Sequence, residues 1–373
     1  MDLALKYRPR SLSEVIGQEC IVRTLSNAFT QKKLHTAYLF CGQFGCGKTS
    51  AGRILAAMEN CLISPGLHPC GKCRLCTAIF DGSHVDIEEL DAAGNMGKVE
   101  QTRKLKEAAM YSPVDGAMNK YFICDEVHRM SDSAIDSLLK VLEEPPDNVR
   151  FVLCTTDAQK LRPAVISRCQ RHDFRPIYWT VIASQLEKIG KQEKLDCEPA
   201  ALNLCARLAK GSMRNGIRNL EKLISYAGST KLSAADAQSM FGAISELLFY
   251  DLMEQVVGMN DAKPDASAGF RVINKMLAGG AEFITLYEGV SEMLRNLLVG
   301  LTSSSAYELL NLSDEGRTRL TPLLKKIHSQ KKTPAILTMI HKLQDAKSAV
   351  DLNISPEMAL QTWFVQSIFD YRV

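Results

Sequence analysis

Gly42-Gln43-Phe44-Gly45-Cys46-Gly47-Lys48-Thr49 is a glycine followed by four residues and then Gly-Lys-Thr, which is the spacing of a phosphate-binding loop. The apolar run 37–41 before it is typical of a buried strand, and residues 50–58 after it are typical of a helix. In that setting the glycines let backbone N–H groups close around a polyphosphate, and the helix N-terminus favours its negative charge. We therefore predict a nucleotide site in which Lys48 reaches the β- and γ-phosphates and the Thr49 hydroxyl binds Mg²⁺. A chance glycine-rich turn is the alternative.

A second motif, Tyr121-Phe122-Ile123-Cys124-Asp125-Glu126, is an apolar run that ends in two carboxylates. The run is typical of a parallel strand buried on both faces, and its carboxyl end faces the crevice where ligands bind in open α/β sheets. Asp125 is then expected to hold Mg²⁺ through its water shell, and Glu126 to orient and polarise the attacking water. An acidic pair that only begins the next helix is the alternative.

Length and charge limit the remaining possibilities. The 373 residues are enough for two or three domains, and the net charge of +3 means that any nucleic-acid contact must come from a local basic surface. No apolar window is long enough to span a membrane, and the N-terminus carries Asp2, Lys6, Arg8 and Arg10 without an apolar signal core. We therefore expect a cytoplasmic protein with no membrane partner.

Four of the twelve cysteines lie in one loop-like insert, residues 60–80, which is interrupted by prolines and glycines. Cys61, Cys70, Cys73 and Cys76 include two overlapping C-x-x-C spacings, a pattern that favours a tetrahedral Zn²⁺ site. Four protein ligands leave no open position, so the metal is expected to be structural. Disulfides, free thiols or a redox role are the alternatives, and disulfides are disfavoured in a reducing compartment.

Further motifs extend the pattern along the chain. They are Lys6-Tyr7-Arg8-Pro9, Val15-Ile16-Gly17-Gln18, Leu138-Leu139-Lys140-Val141-Leu142-Glu143-Glu144-Pro145-Pro146, Ser167-Arg168-Cys169 and Gly211-Ser212-Met213-Arg214. With the phosphate loop, the acidic motif and the cysteine insert, they resemble the gamma/tau ATPase subunits of bacterial sliding-clamp loaders, which belong to the AAA+ class. The resemblance covers residues 1 to about 240, and beyond that only 294–298 and 355–360 are similar.

The resemblance implies an α/β fold followed by two helical domains. Residues 1–178 are expected to form an AAA+ P-loop domain with a parallel sheet and the zinc insert, and residues 179–243 a helical lid. Residues 244–373 are expected to form an all-α collar that oligomerises. No long proline-rich or charged tail follows, so the chain resembles a short form of the family or a part of a longer member.

The resemblance also assigns the site. Nucleotide contacts are expected from Tyr7, Arg8, Val15, Ile16, Gly42, Gly45, Cys46, Gly47, Lys48, Thr49, Ser50 and Arg214. The residues with expected catalytic roles are Lys48, Asp125, Glu126, Thr156, Arg168 and Arg214.

Thr156 and Arg214 resemble the two sensor residues of the family. Thr156 would hydrogen-bond near the γ-phosphate or the attacking water; Thr155 is almost as good a candidate, and a plain strand-end hydrogen bond is the alternative. Arg214 follows Ser212, a good N-cap, so it is expected in the first turn of a lid helix. The helix dipole does not favour a cation there, and a bound phosphate would explain its position.

Arg168 resembles the arginine finger of the family, which would reach the γ-phosphoryl group bound by a neighbouring subunit. A structural arginine that pairs with a carboxylate is the alternative. Lys98 and Lys140 correspond to lysines that grip the DNA backbone, with Lys104 and Lys106 as weaker candidates, and solvated lysines are the alternative for each.

The sequence departs from the family pattern in the loop at Phe44 and Cys46, and elsewhere at Arg129, Asn215 and residues 94–97. The first four leave hydrolysis intact in principle, and the last puts one family DNA contact in doubt.

We therefore expect an ATP-driven motor that opens a sliding clamp and places it on primer–template DNA, with ATP, Mg²⁺ and Zn²⁺ as cofactors. The expected partners are delta- and delta-prime-like subunits, further copies of the chain in a pentameric ring, the clamp and the DNA. A non-catalytic ring scaffold and another ring ATPase, such as a Holliday-junction motor or initiator-type factor, are the alternatives. The intact Lys48, Asp125, Glu126 and Arg214 disfavour the scaffold, and the cysteine insert with the Ser-Arg-Cys motif disfavours the other motors.

Overall fold

The computed structural model describes residues 2–92, 105–114, 116–241, 246–258, 265–278, 283–302, 310, 312 and 314–372. The chain divides into two compact units, Met1–Asp236 and Ala237–Val373. Within the described ranges, none of the helices combines the length and the apolar character that crossing a membrane requires. The predicted three-domain limits, 1–178, 179–243 and 244–373, stay predictions.

A parallel five-stranded sheet forms the centre of the first unit. Its strands are β1 (Ala37–Gly42), β2 (Ile87–Asp91), β3 (Lys120–Asp125), β4 (Val149–Thr155) and β5 (Gln170–Phe174). Every neighbouring pair is parallel, and the order across the sheet is β2-β3-β4-β1-β5. The α/β fold with a parallel sheet is therefore confirmed.

The position of each strand follows from its sequence. Strands β1, β3 and β4 are almost wholly apolar and buried, as expected of strands that are covered on both faces. Buried and exposed residues alternate in the edge strand β5, whereas the other edge strand, β2, buries only Ile87 and exposes its three carboxylates, which suits edges that face water. Because all strands run the same way, the loops that follow β1, β3 and β4 emerge at one end of the sheet.

Helices cover both faces of the sheet. Helices α2 (Glu19–Thr30), α3 (Lys48–Asn60) and α4 (Arg74–Asp81) bury one face through residues such as Leu25, Ile54 and Ile79. Helix α5, of which residues 105–109 are described, covers the other face with α6 (Asp132–Glu143) and α7 (Pro163–Ser167), where Leu105, Leu138 and Val165 are buried.

One local prediction needs amendment. The cysteine insert was expected to be loop-like, but its last part is helix α4, because the Cys73 side chain caps the backbone N–H of Cys76.

The lid region consists of α8 (Trp179–Gln192), α9 (Pro199–Leu208) and α10 (Met213–Ala227). It was predicted to be all-helical, but two-residue strands β6 (Asp196–Cys197) and β7 (Lys231–Leu232) pair within it. The short N-terminal helix α1 (Leu3–Lys6) packs against α10, and the backbone N–H of Leu3 donates to the Glu221 carboxylate.

The second unit is helical in its described parts, as predicted. Its helices are the greater part of α11 (Ala234–Phe241), then α12 (Glu246–Val257), α13 (Ala266–Ala278), α14 (Phe283–Thr302), α15 (Asp314–Ser329), α16 (Thr333–Asp351) and α17 (Pro356–Arg372). Trp363 and Phe364 lie at its core, and the indole N–H of Trp363 donates to the Met339 carbonyl at 3.0 Å. On α14, Leu286, Met293, Leu294 and Leu297 are buried.

Candidate nucleotide-binding site and metal centre

The phosphate loop joins the end of β1 to the start of α3, as predicted. Its three glycines have φ values of +148° (Gly42), +77° (Gly45) and +107° (Gly47), which side chains with a Cβ adopt rarely. A Cβ on Gly42 would also lie 2.9 Å from the Cβ of Phe174. The loop therefore needs glycine at these positions for its backbone path.

Lys48 begins α3 and is only 4% exposed. Its ammonium donates to the backbone carbonyls of Gly42 at 2.7 Å and Gln43 at 3.0 Å. These hydrogen bonds satisfy a charge that burial would otherwise penalise. They also place a cation within the loop that the sequence predicts to bind phosphates.

Thr49 and Asp125 meet across the end of β4. The Thr49 hydroxyl donates to Oδ2 of Asp125 at 3.0 Å, although β1 and β3 are not neighbours in the sheet. A hydroxyl and a carboxylate are hard oxygen donors of the kind that Mg²⁺ prefers. The pair therefore fits the predicted magnesium site.

These two residues line a cavity of about 540 Å³ at the carboxyl end of the sheet. Its lining residues are Phe44, Thr49, Glu89, Leu90, Asp91, Ile123, Asp125, Glu126, Arg129 and Arg214. Two arginines thus share one cavity with four carboxylates, so its wall offers groups that can bind a metal ion and groups that can bind an anion.

Glu126 follows β3 in the left-handed conformation, with φ of +51°. Its backbone N–H donates to Oδ1 of Asp125 at 3.0 Å, and its Oε2 accepts from the Thr156 hydroxyl at 2.9 Å. Nδ1 of His128 lies 3.2 Å from the same oxygen. The carboxylate is therefore held from two sides at the edge of the cavity.

The two candidate sensor threonines are in different surroundings. Thr155 is fully buried, and its hydroxyl lies 3.0 Å from Nδ1 of His128 and accepts from the backbone N–H of Asp157 at 3.0 Å. Thr156 is exposed and contacts Glu126. The geometry favours Thr156 for a role near the reacting groups and Thr155 for a structural role.

A matched pair of substitutions tests this division. Thr156→Val is expected to lower kcat for ATP hydrolysis by about 10²-fold or more with ATP affinity retained, because it frees the Glu126 carboxylate from its positioning bond. Thr155→Val is expected instead to cost about 1–3 kcal/mol of stability, because it leaves buried polar groups unpaired. Steady-state hydrolysis and denaturant unfolding measure the two effects. If Thr155→Val lowers kcat and Thr156→Val lowers stability, Thr155 is the sensor residue and Thr156 the structural one.

The four nucleotide contacts predicted in the N-terminal segment, which are Tyr7, Arg8, Val15 and Ile16, separate into two places. Arg8 donates from Nε to the Ser50 hydroxyl at 3.1 Å, and burial together with nearby Arg53 lowers the pKa of Arg8. Val15 is buried beside Gly47. The other two residues face the lid.

Tyr7 donates its hydroxyl to Glu193, the residue that follows α8, at 2.5 Å, and burial raises the pKa of Tyr7. Ile16 lines a second cavity, of about 250 Å³, with residues of α8. The N-terminal segment therefore contacts both the loop helix α3 and the lid.

Arg214 lies in the first turn of α10, as predicted. The Ser212 hydroxyl caps this helix by accepting from the backbone N–H of Asn215 at 3.2 Å. The Arg214 guanidinium carbon lies 5.0 Å from the centroid of the Phe44 ring. Cys46, in contrast, is buried and is not among the cavity-lining residues, and burial raises the pKa of its thiol.

The four insert cysteines converge in space. Their Sγ atoms all lie within 4.8 Å of one another, and those of Cys70 and Cys76 are 3.9 Å apart. Tetrahedral Zn–S bonds of 2.3 Å require S···S distances of about 3.8 Å, whereas a disulfide requires about 2.05 Å. The cluster therefore fits a zinc ion and does not fit a disulfide.

Backbone N–H groups point at these sulfurs. Cys61 accepts from the N–H groups of Ser64 and Cys70, each at 3.4 Å, and Cys73 accepts from Cys76 at 3.4 Å. Burial acts to raise the pKa of Cys61, but these donors outweigh it and lower that pKa to about 6. Donors of this kind stabilise thiolate, which is the form that binds metal.

Three family models match consecutive parts of the chain. "DNA polymerase III, delta subunit" matches residues 17–178, "DNA polymerase III clamp loader subunit, ATPase lid domain" matches 181–228, and "DNA polymerase III subunits gamma and tau domain III" matches 232–367. The DNA polymerase III subunit tau of Bacillus subtilis is 33% identical over 360 residues, 96% of this chain. The chain belongs to the gamma/tau family of DNA polymerase III subunits.

Other relatives agree with this assignment. The subunit tau of Escherichia coli is 37% identical over 304 residues, 82% of this chain. This gamma/tau family chain spans 62% of the length of the Bacillus relative and 46% of the Escherichia relative.

Among solved structures, the Thermotoga maritima RuvB Holliday junction branch migration motor has a TM-score of 0.47 at 18% identity, covering 74% of this chain and 86% of that one. The Bacillus subtilis DNA clamp loader delta protein has a TM-score of 0.39 at 11% identity, covering 93% and 99%. Both likenesses are weak, and the AAA+ fold rests on the sheet, the phosphate loop and the lid.

The remaining predicted residues that the structure describes are not among those that line the cavity. Arg168 follows α7, with one guanidinium nitrogen 2.5 Å from Oε1 of Glu143 and another donating to the Ala164 carbonyl at 2.9 Å. Lys140 is exposed on α6, and Lys106 is exposed on α5. Lys98, Lys104 and residues 94–97 lie outside the described residues.

Sequence reasoning missed two residues of the site. His128 contacts both Glu126 and Thr155, and the signal that could have found it is its place two residues after the acidic pair. Phe44 was noted only as a departure from the family, and nothing local indicates its contact with Arg214, which lies 170 positions away.

Proposed function

We propose that this chain is the ATP-driven motor subunit of a clamp loader, which helps to open a sliding clamp and to place it on primer–template DNA. The observation that carries the proposal is the Thr49–Asp125 pair at 3.0 Å, in the same cavity that Glu126 and Arg214 line. Membership in the gamma/tau family supports the part of the proposal that concerns the clamp, the DNA and the partner subunits.

The loop lysine and three of the cavity-lining residues would act on the phosphates and the metal ion in this reaction. Lys48 would move from the loop carbonyls to the β- and γ-phosphates, which is a short displacement because it already lies within the loop. Thr49 and Asp125 would hold Mg²⁺, which neutralises charge on the phosphate oxygens when bound. Arg214 would bring a second cation from the lid.

Glu126 is the residue that we propose orients the attacking water. Its Oε2 is bonded to the Thr156 hydroxyl and lies beside His128, so the carboxylate has a fixed position before substrate arrives. In the reaction it would accept a hydrogen bond from the water and polarise it toward the γ-phosphorus. Thr156 can transfer its own hydrogen bond to the phosphate or to that water.

We propose that hydrolysis needs two adjacent protomers. Arg168 of one subunit would reach the γ-phosphoryl group bound by the next, and delta- and delta-prime-like subunits would complete a pentameric ring. Sequence-independent, salt-sensitive DNA contacts would come from Lys98 and Lys140 on the inner side of the ring. Support for this step is the exposed position of Lys140 and the family membership.

The cysteine cluster would have a structural role. Zn²⁺ held by Cys61, Cys70, Cys73 and Cys76 would join the end of α3 to the start of α4. No cysteine of the cluster lines the cavity, so the metal would take no part in hydrolysis.

Substituting Lys48 tests the proposal. Lys48→Ala is expected to abolish measurable ATP hydrolysis and clamp loading in a ring assembled with clamp-loader partners, because the substituted loop has lost its ammonium. Lys33→Ala is the matched control, since Lys33 is exposed on the segment after α2 and far from the loop in sequence. If rings with Lys48→Ala load clamps normally, the motor proposal is wrong and the chain acts as a non-catalytic ring scaffold.

A further inference from the structure

The phosphate loop and the start of α10 are joined through backbone and side-chain hydrogen bonds. The side-chain amide of Gln43 donates to the Lys210 carbonyl at 2.8 Å. The backbone N–H of Met213 donates to the Gly45 carbonyl at 3.1 Å. A Cβ on Gly45 would lie 3.0 Å from the Cβ of Arg214, so the helix rests directly on the loop.

Between these two bonds, the side chains of Phe44 and Arg214 contact each other. The guanidinium carbon of Arg214 is 5.0 Å from the ring centroid, within the range of a cation–π interaction. Phe44 is 45% exposed and lines the cavity together with Arg214, Asp125 and Glu126. An aromatic ring that is this exposed has little to contribute to core packing, so its position calls for another explanation.

The nature of this contact leaves Arg214 able to bind an anion. An aromatic ring attracts the cation but accepts none of its N–H groups in ordinary hydrogen bonds, so the five donors remain available to phosphate oxygens. Across the part of the chain that the structure describes, Arg214 makes no ion pair with a carboxylate. Arg168 differs, because its guanidinium is already bonded to Glu143 and Ala164.

We propose that Phe44 is a positioning residue for a nucleoside triphosphate: its ring holds the Arg214 guanidinium at the cavity and thereby strengthens the preference for triphosphate over diphosphate. Holding the long side chain in place reduces the ordering cost when the ligand binds. Arg214 shares the cavity with Asp125 and Glu126, where the terminal phosphate and the attacking water are placed in the proposed function, on which this inference rests. A diphosphate lacks the group that Arg214 would contact.

Nucleotide affinities of the purified chain test the role of Phe44. The probes are ADP and an ATP analogue with a non-hydrolysable β–γ bridge, each with Mg²⁺, in calorimetric titrations. Phe44→Ala is expected to weaken binding of the analogue by about two- to five-fold, the strength of an exposed cation–π contact, and to leave ADP binding unchanged. Phe44→Tyr keeps a π face and is expected to bind both nucleotides like the wild type.

A double-mutant cycle with Arg214→Ala separates positioning from a direct contact. If Phe44 acts through Arg214, Phe44→Ala has no further effect once the arginine is gone. The inference is overturned if Phe44→Ala weakens both nucleotides equally, if it has no effect on the analogue, or if its effect persists in the Arg214→Ala background. Wild-type chain that binds neither nucleotide would refute the proposed function itself, whereas these three outcomes leave that function standing.

Discussion

Arg168→Ala is expected to lower kcat for ATP hydrolysis in the assembled ring by about 10³–10⁵-fold, with nucleotide affinity nearly unchanged. The reason is that an arginine acting in trans stabilises charge on the γ-phosphoryl group in the transition state and contributes little to the ground state. Steady-state hydrolysis and nucleotide titration of the same preparation measure the two quantities.

The contacts of Arg168 within its own protomer do not prevent this role. Its ion pair with Glu143 joins side chains that are 34% and 51% exposed. An exposed pair of this kind contributes about 0–1 kcal/mol, whereas a trans finger is worth about 4–7 kcal/mol in rate. Arg168 can therefore leave Glu143 for the γ-phosphoryl group once a neighbouring subunit presents its nucleotide.

Mixing two inactive variants tests the arrangement between subunits. A ring that contains both Arg168→Ala and Lys48→Ala chains has some interfaces with an intact loop on one side and an intact Arg168 on the other, so partial hydrolysis should return. Arg162→Ala is the matched control, since Arg162 forms a similar exposed pair with Asp136. Full activity of Arg168→Ala, or mixtures as inactive as their components, would make Arg168 a structural residue.

Cys73→Ser is expected to abolish zinc binding and to open the insert. Cys73 supplies one of the four converging sulfurs and also caps α4, while Leu75 and Ile79 on that helix are buried in the same apolar cluster as residues of α3. Loss of a structural metal is among the few changes that cost about 4 kcal/mol or more. Metal analysis of the purified chain, and its melting temperature, measure the two effects.

The control for this variant is Cys20→Ser, because Cys20 is exposed on α2 and lies outside the cluster. It should retain both the metal content and the melting temperature of the wild type. A Cys73→Ser chain with full zinc occupancy would refute the four-cysteine ligand set, and a wild type without metal would favour the free-thiol alternative.

The parts of the fold and of the site that the sequence predicts are those that depend on short continuous stretches of residues. The apolar run before Gly42 is typical of a buried strand, and the Gly-Lys-Thr that follows places Lys48 and Thr49 at a helix start. The apolar run before Asp125 indicates a second buried strand, and parallel strands bring their carboxyl ends to one edge. These two facts suffice to anticipate the Thr49–Asp125 contact.

The parts that could not be predicted depend on tertiary packing. The cysteine spacing in residues 60–80 indicates a metal ligand at Cys73 and does not indicate that this side chain also caps a helix. To choose between Thr155 and Thr156, one must know which side chain is buried at the end of β4, and the sequence does not give that. Pairs such as Phe44–Arg214 and Arg8–Ser50 join distant segments, and no local pattern encodes which side chains meet.

ATP hydrolysis by a ring assembled from this chain with delta- and delta-prime-like subunits is the deciding experiment, measured with neither, either or both of sliding clamp and primed DNA. A clamp-loader motor should hydrolyse ATP fastest when clamp and primed DNA are present together, and the stimulation should disappear with Lys48→Ala. The clamp-loader proposal would be contradicted if the clamp did not stimulate hydrolysis but a four-way DNA junction did. It would also be contradicted if a ring loaded clamps without the Lys48 ammonium.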